Sequence, residues 1–219
     1  MNNKKTRLAA FGITENTLMT GIGTSPSYSA TPTGAFLAIS ESYAKQFQDK
    51  MGEYKVGQTP ESFRRLPQED QNDILAHRQN MLLSEFNEMV VAYLHKDIVE
   101  VIDGIADIAF ILGGSHYITS NMGDEQHEFE DDSAAYHHSD YCVEMYKALD
   151  EWIYASGLPD ILLPELARRV GLNNLTKWDG DVTFSKSGKL LKPAGYVPVN
   201  LVDIAKHSSH WHLHTPLGD

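Results

Sequence analysis

Residues 98–114 read IVEVIDGIADIAFILGG, a stretch of helical length with no Lys or Arg, whose only ionisable residues are Glu100, Asp103 and Asp107. At about 100° per residue, Ile98, Val101, Ile102, Ile105, Ile108, Ala109 and Leu112 share one face, and the three acids share the opposite one. An ordinary amphipathic helix would fill that second face with mixed charge. Here Val99, Ala106, Phe110 and Ile111 flank the acids, so the helix is apolar nearly all round and is expected to be buried. Unpaired carboxylates on a buried helix are costly unless a cation compensates them. With no basic side chain on the segment, a bound metal ion is the leading candidate.

The chain has 219 residues, enough for one sizeable core with extensions, and a formal charge of −12. That charge argues against a nucleic-acid backbone as partner, since such binding asks for a basic surface. A small anionic substrate stays possible where metal ions screen the acids. The single cysteine, Cys142, forbids an internal disulfide, and nothing in YCVEM points to an activated thiol. Neither an h-region nor a membrane-length apolar run is present. A soluble, cytoplasmic protein is expected, with no membrane partner.

Residues 1–35 are rich in Ser, Thr and Gly and read as an N-terminal arm. A first helix is predicted over 36–51, stopped by Gly52. A loop with Pro60 and Pro67 follows, and Asp73 is placed as the cap of a second helix ending near residue 93. Only residues 94–96 separate this helix from the acidic one, which favours an antiparallel hairpin. The stretch 123–138 is strongly acidic and reads as a solvated insertion. Further helices are predicted over 139–156 and 160–170, stopped by Gly157 and Gly171. Residues 173–201 are turn-rich and mildly basic, and 202–219 read as a frayed C-terminal tail. The fold class is all-α.

On the second helix Glu85 and Glu88 lie at i and i+3, so both carboxylates leave one side, with Arg78 nearly on the same line. Folding the hairpin about its turn brings Glu88 level with Asp103, and Glu85 nearly level with Asp107, at roughly 1.5 Å of rise per residue. Four carboxylates then converge. All-oxygen ligands select hard cations, Mg²⁺ or Mn²⁺ before Zn²⁺. Mg²⁺ keeps open positions for substrate phosphates, so the implied chemistry is metal-assisted attack on a phosphate ester or anhydride. A di-iron carboxylate bundle fits less well, because neither Glu85 nor Glu100 has His at i+3. His137, His138, His210, His212 and His214 are metal-capable but sit in polar segments without matching acids. Arg78, taken alone, reads as an ion-pair partner of Glu85.

These residues resemble a known family. RQNMLLSEFNEM (residues 78–89) followed by VEVIDGIADIAFILGG (99–114) is similar to the paired acidic helices of the all-α nucleoside triphosphate pyrophosphohydrolases. The nearest group is the MazG-like, phosphoribosyl-ATP-pyrophosphohydrolase-like proteins, related to dimeric dUTPases. NNLTK (173–177) and SGKLLKPAGYVPVNL (187–201) resemble that family's Lys-rich tail. The resemblance spans about residues 38–201, outside the acidic insertion, and outlines a domain over 36–201.

It implies Mg²⁺-dependent hydrolysis of a nucleoside triphosphate, a dNTP foremost, between the α and β phosphorus atoms. The products are a monophosphate and pyrophosphate. It also implies a helical bundle completed by dimerisation, as a homodimer or a dimer of dimers. Glu85, Glu88, Asp103 and Asp107 are then the catalytic and metal-binding acids, with Glu100 as a further metal ligand. Arg78, Asn174, Lys177, Lys192 and Tyr196 are implied substrate contacts. The tail beyond residue 171 is expected to matter more to substrate affinity than to stability. Two positions depart from the family pattern: Ser84 stands where the first acid of EExxE is expected, and Gly104 where many relatives carry Glu. The remaining acids suffice for one Mg²⁺, and for a second with help from substrate. The departures also open an alternative, a catalytically weakened nucleotide-binding or regulatory protein on the same bundle.

Overall fold

The computed structural model describes residues 32–119, 134–186 and 188–215. The expected N-terminal arm up to residue 31, the acidic stretch up to residue 133, the His137 side chain and residues 216–219 lie outside the described residues. Seven helices follow in order: α1 (Pro32–Gly52), α2 (Pro60–Arg64), α3 (Gln68–Leu94), α4 (Ile98–Thr119), α5 (Ala134–Ala155), α6 (Leu163–Leu175) and α7 (Val202–Ala205). Short 3₁₀ turns sit at Asp160–Leu162, Thr176–Trp178 and Trp211–Leu213. Among the described residues the only β pairing is one isolated antiparallel bridge, Phe184 with Leu190. The class is all-α, as the periodicity predicts. No helix among them is long and apolar enough to cross a membrane.

The acidic helix α4 is the centre of the molecule, touching α1, α2, α3, α5, α6 and α7. Every member of its predicted apolar face, from Ile98 to Leu112, is buried, and Gly113, Gly114, Ser115 and Ile118 extend that burial. The opposite face is only half covered: Asp103, Asp107, Val99, Phe110 and Ile111 are partly buried and Glu100 is exposed. Burial of this kind, at about 1.5–3 kcal/mol per large apolar side chain, holds the acids on a rigid rod.

Several boundaries differ from the sequence reading, each for a local reason. Helix α3 starts at Gln68 rather than beside Asp73, because Pro67 sets an extended entry (φ −54°, ψ 150°) and Glu69 and Asp70 complement the dipole of the first turn. The predicted loop before it contains α2, closed by a capping box in which Thr59 and Ser62 satisfy each other's backbone donors. Gly171 does not stop α6. The helix runs on to Leu175, and the missing side chain makes room for the Tyr43 ring, which would lie 2.4 Å from a Cβ there.

Residues 95–97 make the tight connection between α3 and α4, and Lys96 takes the left-handed conformation at φ 63°. This costs a residue with a Cβ about 1–2 kcal/mol. The segment expected to fray compensates it. Thr215 donates its N–H to the Lys96 carbonyl at 3.0 Å, and His214 Nδ1 accepts from the Ile98 N–H at 3.2 Å. Asp97 Oδ1 accepts from Glu100 N at 3.2 Å, so two side chains cap the start of α4. The tail is therefore packed, and Leu201, Ile204 and Ala205 belong to the main core. Removing everything after residue 171 would take these residues and Trp178 away, so the tail carries stability as well as any role at a site.

Candidate active site

The hairpin places Glu85 and Glu88 of α3 against Glu100, Asp103 and Asp107 of α4, and each of the five acts electrostatically on others in the group. Burial, and then the charges of Asp107 and Glu88, push the Glu85 carboxyl up to about 7, against the pull of Lys189 and Lys177. Asp103 is raised further, to about 8, by burial and by Asp107 and Glu100. Glu100 is raised by burial, by Asp97, Asp107 and Glu88, and eased by Lys192. Negative charge is thus crowded in a partly dry place, the condition under which carboxylates give up ionisation. Asp107 is near enough to act on the Glu85 carboxyl electrostatically. Glu88 is exposed, takes a hydrogen bond from Ser84 Oγ at 3.1 Å, and makes its charge felt at Glu85 and Glu100.

The second departure, Gly104, has a packing cause. A Cβ there would sit 2.8 Å from Met89 Cβ and 3.4 Å from its Cα, so the glycine lets α3 and α4 approach closely. A Glu at this position would be driven into α3. Asp103 is the residue that carries the acid on the α4 face turned to the site.

Across from the acids runs a strap made by the end of α6 and the chain after it. Asn174 is buried and bonded at both ends of its amide: Nδ2 donates to Asp107 Oδ1 at 3.0 Å, and Oδ1 accepts from Lys177 Nζ. Burial lowers the Lys177 pKa, and Asp107 and Glu85 oppose that shift. Tyr196 donates its hydroxyl to Asn173 Oδ1 and lies under the Lys192 ammonium, 5.0 Å from the ring centre. Burial, together with Asp107 and Asp103, pushes its phenol up to about 12. A cavity of about 70 Å³ between α4, α6 and the strap is lined by Asp103, Asp107, Asn174, Lys177, Lys192 and Tyr196, among others. The implied contacts Asn174, Lys177, Lys192 and Tyr196 are therefore assembled with the acids.

Arg78 is not, and here the expectation is corrected. Its side chain is 3 % exposed and lies one helix end away, with Nε donating to Ser115 Oγ and Nη2 to the Ile111 carbonyl, both at 2.8 Å. Gly114 makes the space, since a Cβ there would meet Nη2 at 2.5 Å. Burial lowers its pKa to about 10, which still leaves it charged at neutral pH. It forms no ion pair with Glu85 and adds nothing to the positive side of the site.

Sequence reasoning missed Lys189, Asn173 and Lys55. Lys189 supplies charge to Glu85, and its position beside Lys192 in GKLLK was the available signal. Lys55 donates to the Gly188 carbonyl and lies 4.2 Å from the centre of the Phe184 ring, pinning the loop that carries Lys189. No local pattern marks such a contact across 133 residues. Of the histidines, His214 caps α4 and His138 is buried with Nε2 3.4 Å from Cys142 Sγ. Burial raises the Cys142 thiol to about 11, which makes it inert. A larger open hollow of about 770 Å³ beside Lys45, Arg64, Arg65 and Tyr117 contains none of the five acids.

Among the described residues no group of three or more Asp, Glu, His or Cys side chains is placed to hold a metal ion. The chemistry of the acids on α3 and α4, all oxygen with no sulfur or imidazole, is of the kind a hard divalent cation takes, and the raised pKa values of Glu85, Glu100 and Asp103 are shifts that a nearby cation would reverse. Comparison with protein-family models, with curated proteins and with solved structures returns no match.

Proposed function

We propose that this protein hydrolyses a nucleoside triphosphate, a dNTP foremost, at the α–β phosphoanhydride with Mg²⁺, releasing a nucleoside monophosphate and pyrophosphate. One observation carries the reading. Asp103 and Asp107 of α4 line one cavity together with Lys177 and Lys192 of the strap, and the carboxyl groups of Glu85 and Glu100 are raised by neighbouring acids and eased by lysines 177, 189 and 192. A divalent cation suits the acids and a polyphosphate suits the lysines.

Bound there, Mg²⁺ or Mn²⁺ would polarise a phosphoryl oxygen and lower the pKa of a water. Asp103, Asp107, Glu88 and Glu100 would hold it. Glu85, partly buried beside those acids on α3, would join them as a ligand, and whichever carboxylate is not fully engaged would take a proton from the attacking water. Lys177, Lys189 and Lys192 would receive the phosphates, and the Tyr196 ring the sugar or base. The cavity of about 70 Å³ is too small for a nucleotide, so a substrate would lie across its mouth. Leu83, Val91 and Leu94 of α3 and Tyr154 of α5 are exposed apolar side chains, which supports a homodimeric, family-type bundle.

The test is pyrophosphate release from a panel of dNTPs and NTPs, with and without Mg²⁺. Metal-dependent release from at least one nucleotide is expected. Binding without release from any of them would favour the weakened, regulatory alternative, for which Ser84 is the remaining sequence argument. Neither binding nor release would end the nucleotide reading.

A further inference from the structure

We infer that Asn174 is a positioning residue, a neutral spacer that keeps Asp107 and Lys177 from neutralising each other. The inference rests on the metal-and-phosphate reading of the site given above. Asn174 is 5 % exposed, and its amide is used at both ends within the site: Nδ2 toward Asp107 Oδ1 at 3.0 Å, and Oδ1 toward the Lys177 ammonium. An amide offers a donor to the acid and an acceptor to the base at once, and on two separate atoms, which sets the two charged groups apart. The Asp107 carboxylate is thereby fixed in rotation, with Oδ2 left unclaimed by the amide. The Lys177 ammonium is anchored through one of its three donors, and two remain.

The alternative arrangement explains why a spacer is needed. Asp107 and Lys177 lie close enough to influence each other electrostatically without an ion pair forming between them. In a half-dry site a direct Lys–Asp pair would be strong, and it would occupy both the metal ligand and the phosphate ligand. The amide in the middle holds the two charges apart, ready for different external partners. Asn174 thus acts through Asp107 and Lys177 rather than by touching substrate.

The experiment measures Mn²⁺ binding to the nucleotide-free protein by calorimetry, for the wild type, Asn174→Ala, Asn174→Ser, Lys177→Met and the Asn174→Ala/Lys177→Met double variant. With the spacer gone Lys177 can pair with Asp107 and occupy it as a metal ligand, and a loss of about tenfold to a hundredfold in affinity, the size that follows from disturbing the surroundings of a ligand, is expected in both Asn174 variants. Lys177→Met should bind Mn²⁺ as well as wild type. The double variant should recover, because no ammonium remains to collapse onto Asp107. Thermal melts identify any variant that fails to fold, and the serine variant, which disturbs packing least, then carries the comparison. Wild-type Mn²⁺ affinity in a folded Asn174 variant overturns the proposal, and a raised KM for nucleotide there would reinstate Asn174 as a substrate contact. A double variant as weak as the single also overturns it. A wild-type protein that binds no Mn²⁺ removes the metal reading itself, and this proposal with it.

Discussion

The α3–α4 hairpin carries charge at two levels, one fully enclosed and one only partly covered, and treats the two in opposite ways. At the far end, the Arg78 guanidinium is enclosed and bonded to neutral oxygens that are fixed in place, a serine hydroxyl and a helix carbonyl. Toward the turn, five carboxylates face one another, and the polar groups that meet them do not neutralise them: Asp103 and Glu85 are driven up to about 8 and 7. A buried ion supplied with good dipoles is complete as it stands. A cluster of like charges is not, and it gains most from a cation arriving from outside. The contrast separates a residue satisfied within the bundle from residues that, on the proposed function, await a ligand, although all of them are charged groups on the same two helices.

Removing acids should therefore abolish function and spare the fold, and removing the arginine should do the reverse. Glu88→Gln or Asp107→Asn is expected to lower kcat about a thousandfold or more, an effect of several kcal/mol on the barrier, with an unchanged helical circular dichroism spectrum. Normal turnover in both would displace the site. Arg78→Ala should lower unfolding free energy by about 3 kcal/mol, through a cavity and a stranded hydroxyl, while kcat per folded molecule stays within about twofold. A selective loss of nucleotide affinity in that variant would return Arg78 to the substrate.

The same contrast predicts an unusual response to pH. Asp103 and Glu85 have folded-state pKa values above those of the unfolded chain, so their protonated forms favour the folded protein. That contribution is complete below the ordinary carboxylate range and fades as pH rises from about 4 through about 8. Metal-free protein should therefore lose stability over this interval, and Mg²⁺ should restore more of it at pH 8 than at pH 6. Asp103→Asn should gain about 1–3 kcal/mol at pH 8 in the absence of metal and respond less to Mg²⁺. Chemical denaturation at the two pH values, with and without metal, measures both effects. A variant no more stable than wild type at pH 8 would show that Asp103 is not under strain.

How far the sequence carried is clear from particular residues. The burial of Ile98, Val101, Ile102, Ile105, Ile108, Ala109 and Leu112 was legible, because helical periodicity encodes it directly. The α3–α4 hairpin was legible as well, since a three-residue connection leaves two rods little choice but to pack side by side. The packing role of Gly104 was not legible, because a sequence does not tell which face of a helix lies against its neighbour at a distance of one methyl group. Arg78 was placed on the right line of α3 and at the wrong site; its partners Ser115 and Ile111 have no charge to mark them. The packed tail was missed because Leu201, Ile204 and Ala205 are too few to show a period.

The smallest expected effect sharpens the comparison at the turn itself, where α4 begins next to its acids. His214 Nδ1 accepts the Ile98 N–H, the imidazole stacks on Trp211 with ring centres 4.3 Å apart, and Thr215 holds the carbonyl of the left-handed Lys96. His214→Ala removes one cap from a helix start that keeps its other cap, Asp97, so about 1 kcal/mol of stability should be lost. The loss should be local. Hydrogen exchange at the Ile98 amide should quicken, while amides deep in α4, such as Ile105, should keep the protection set by global unfolding. His214→Asn, whose side-chain oxygen can accept the same bond, should recover part of the protection. Ile98 exchange unchanged in the alanine variant would mean that the tail merely rests against the turn, and the strained Lys96 would then be held by the hairpin alone.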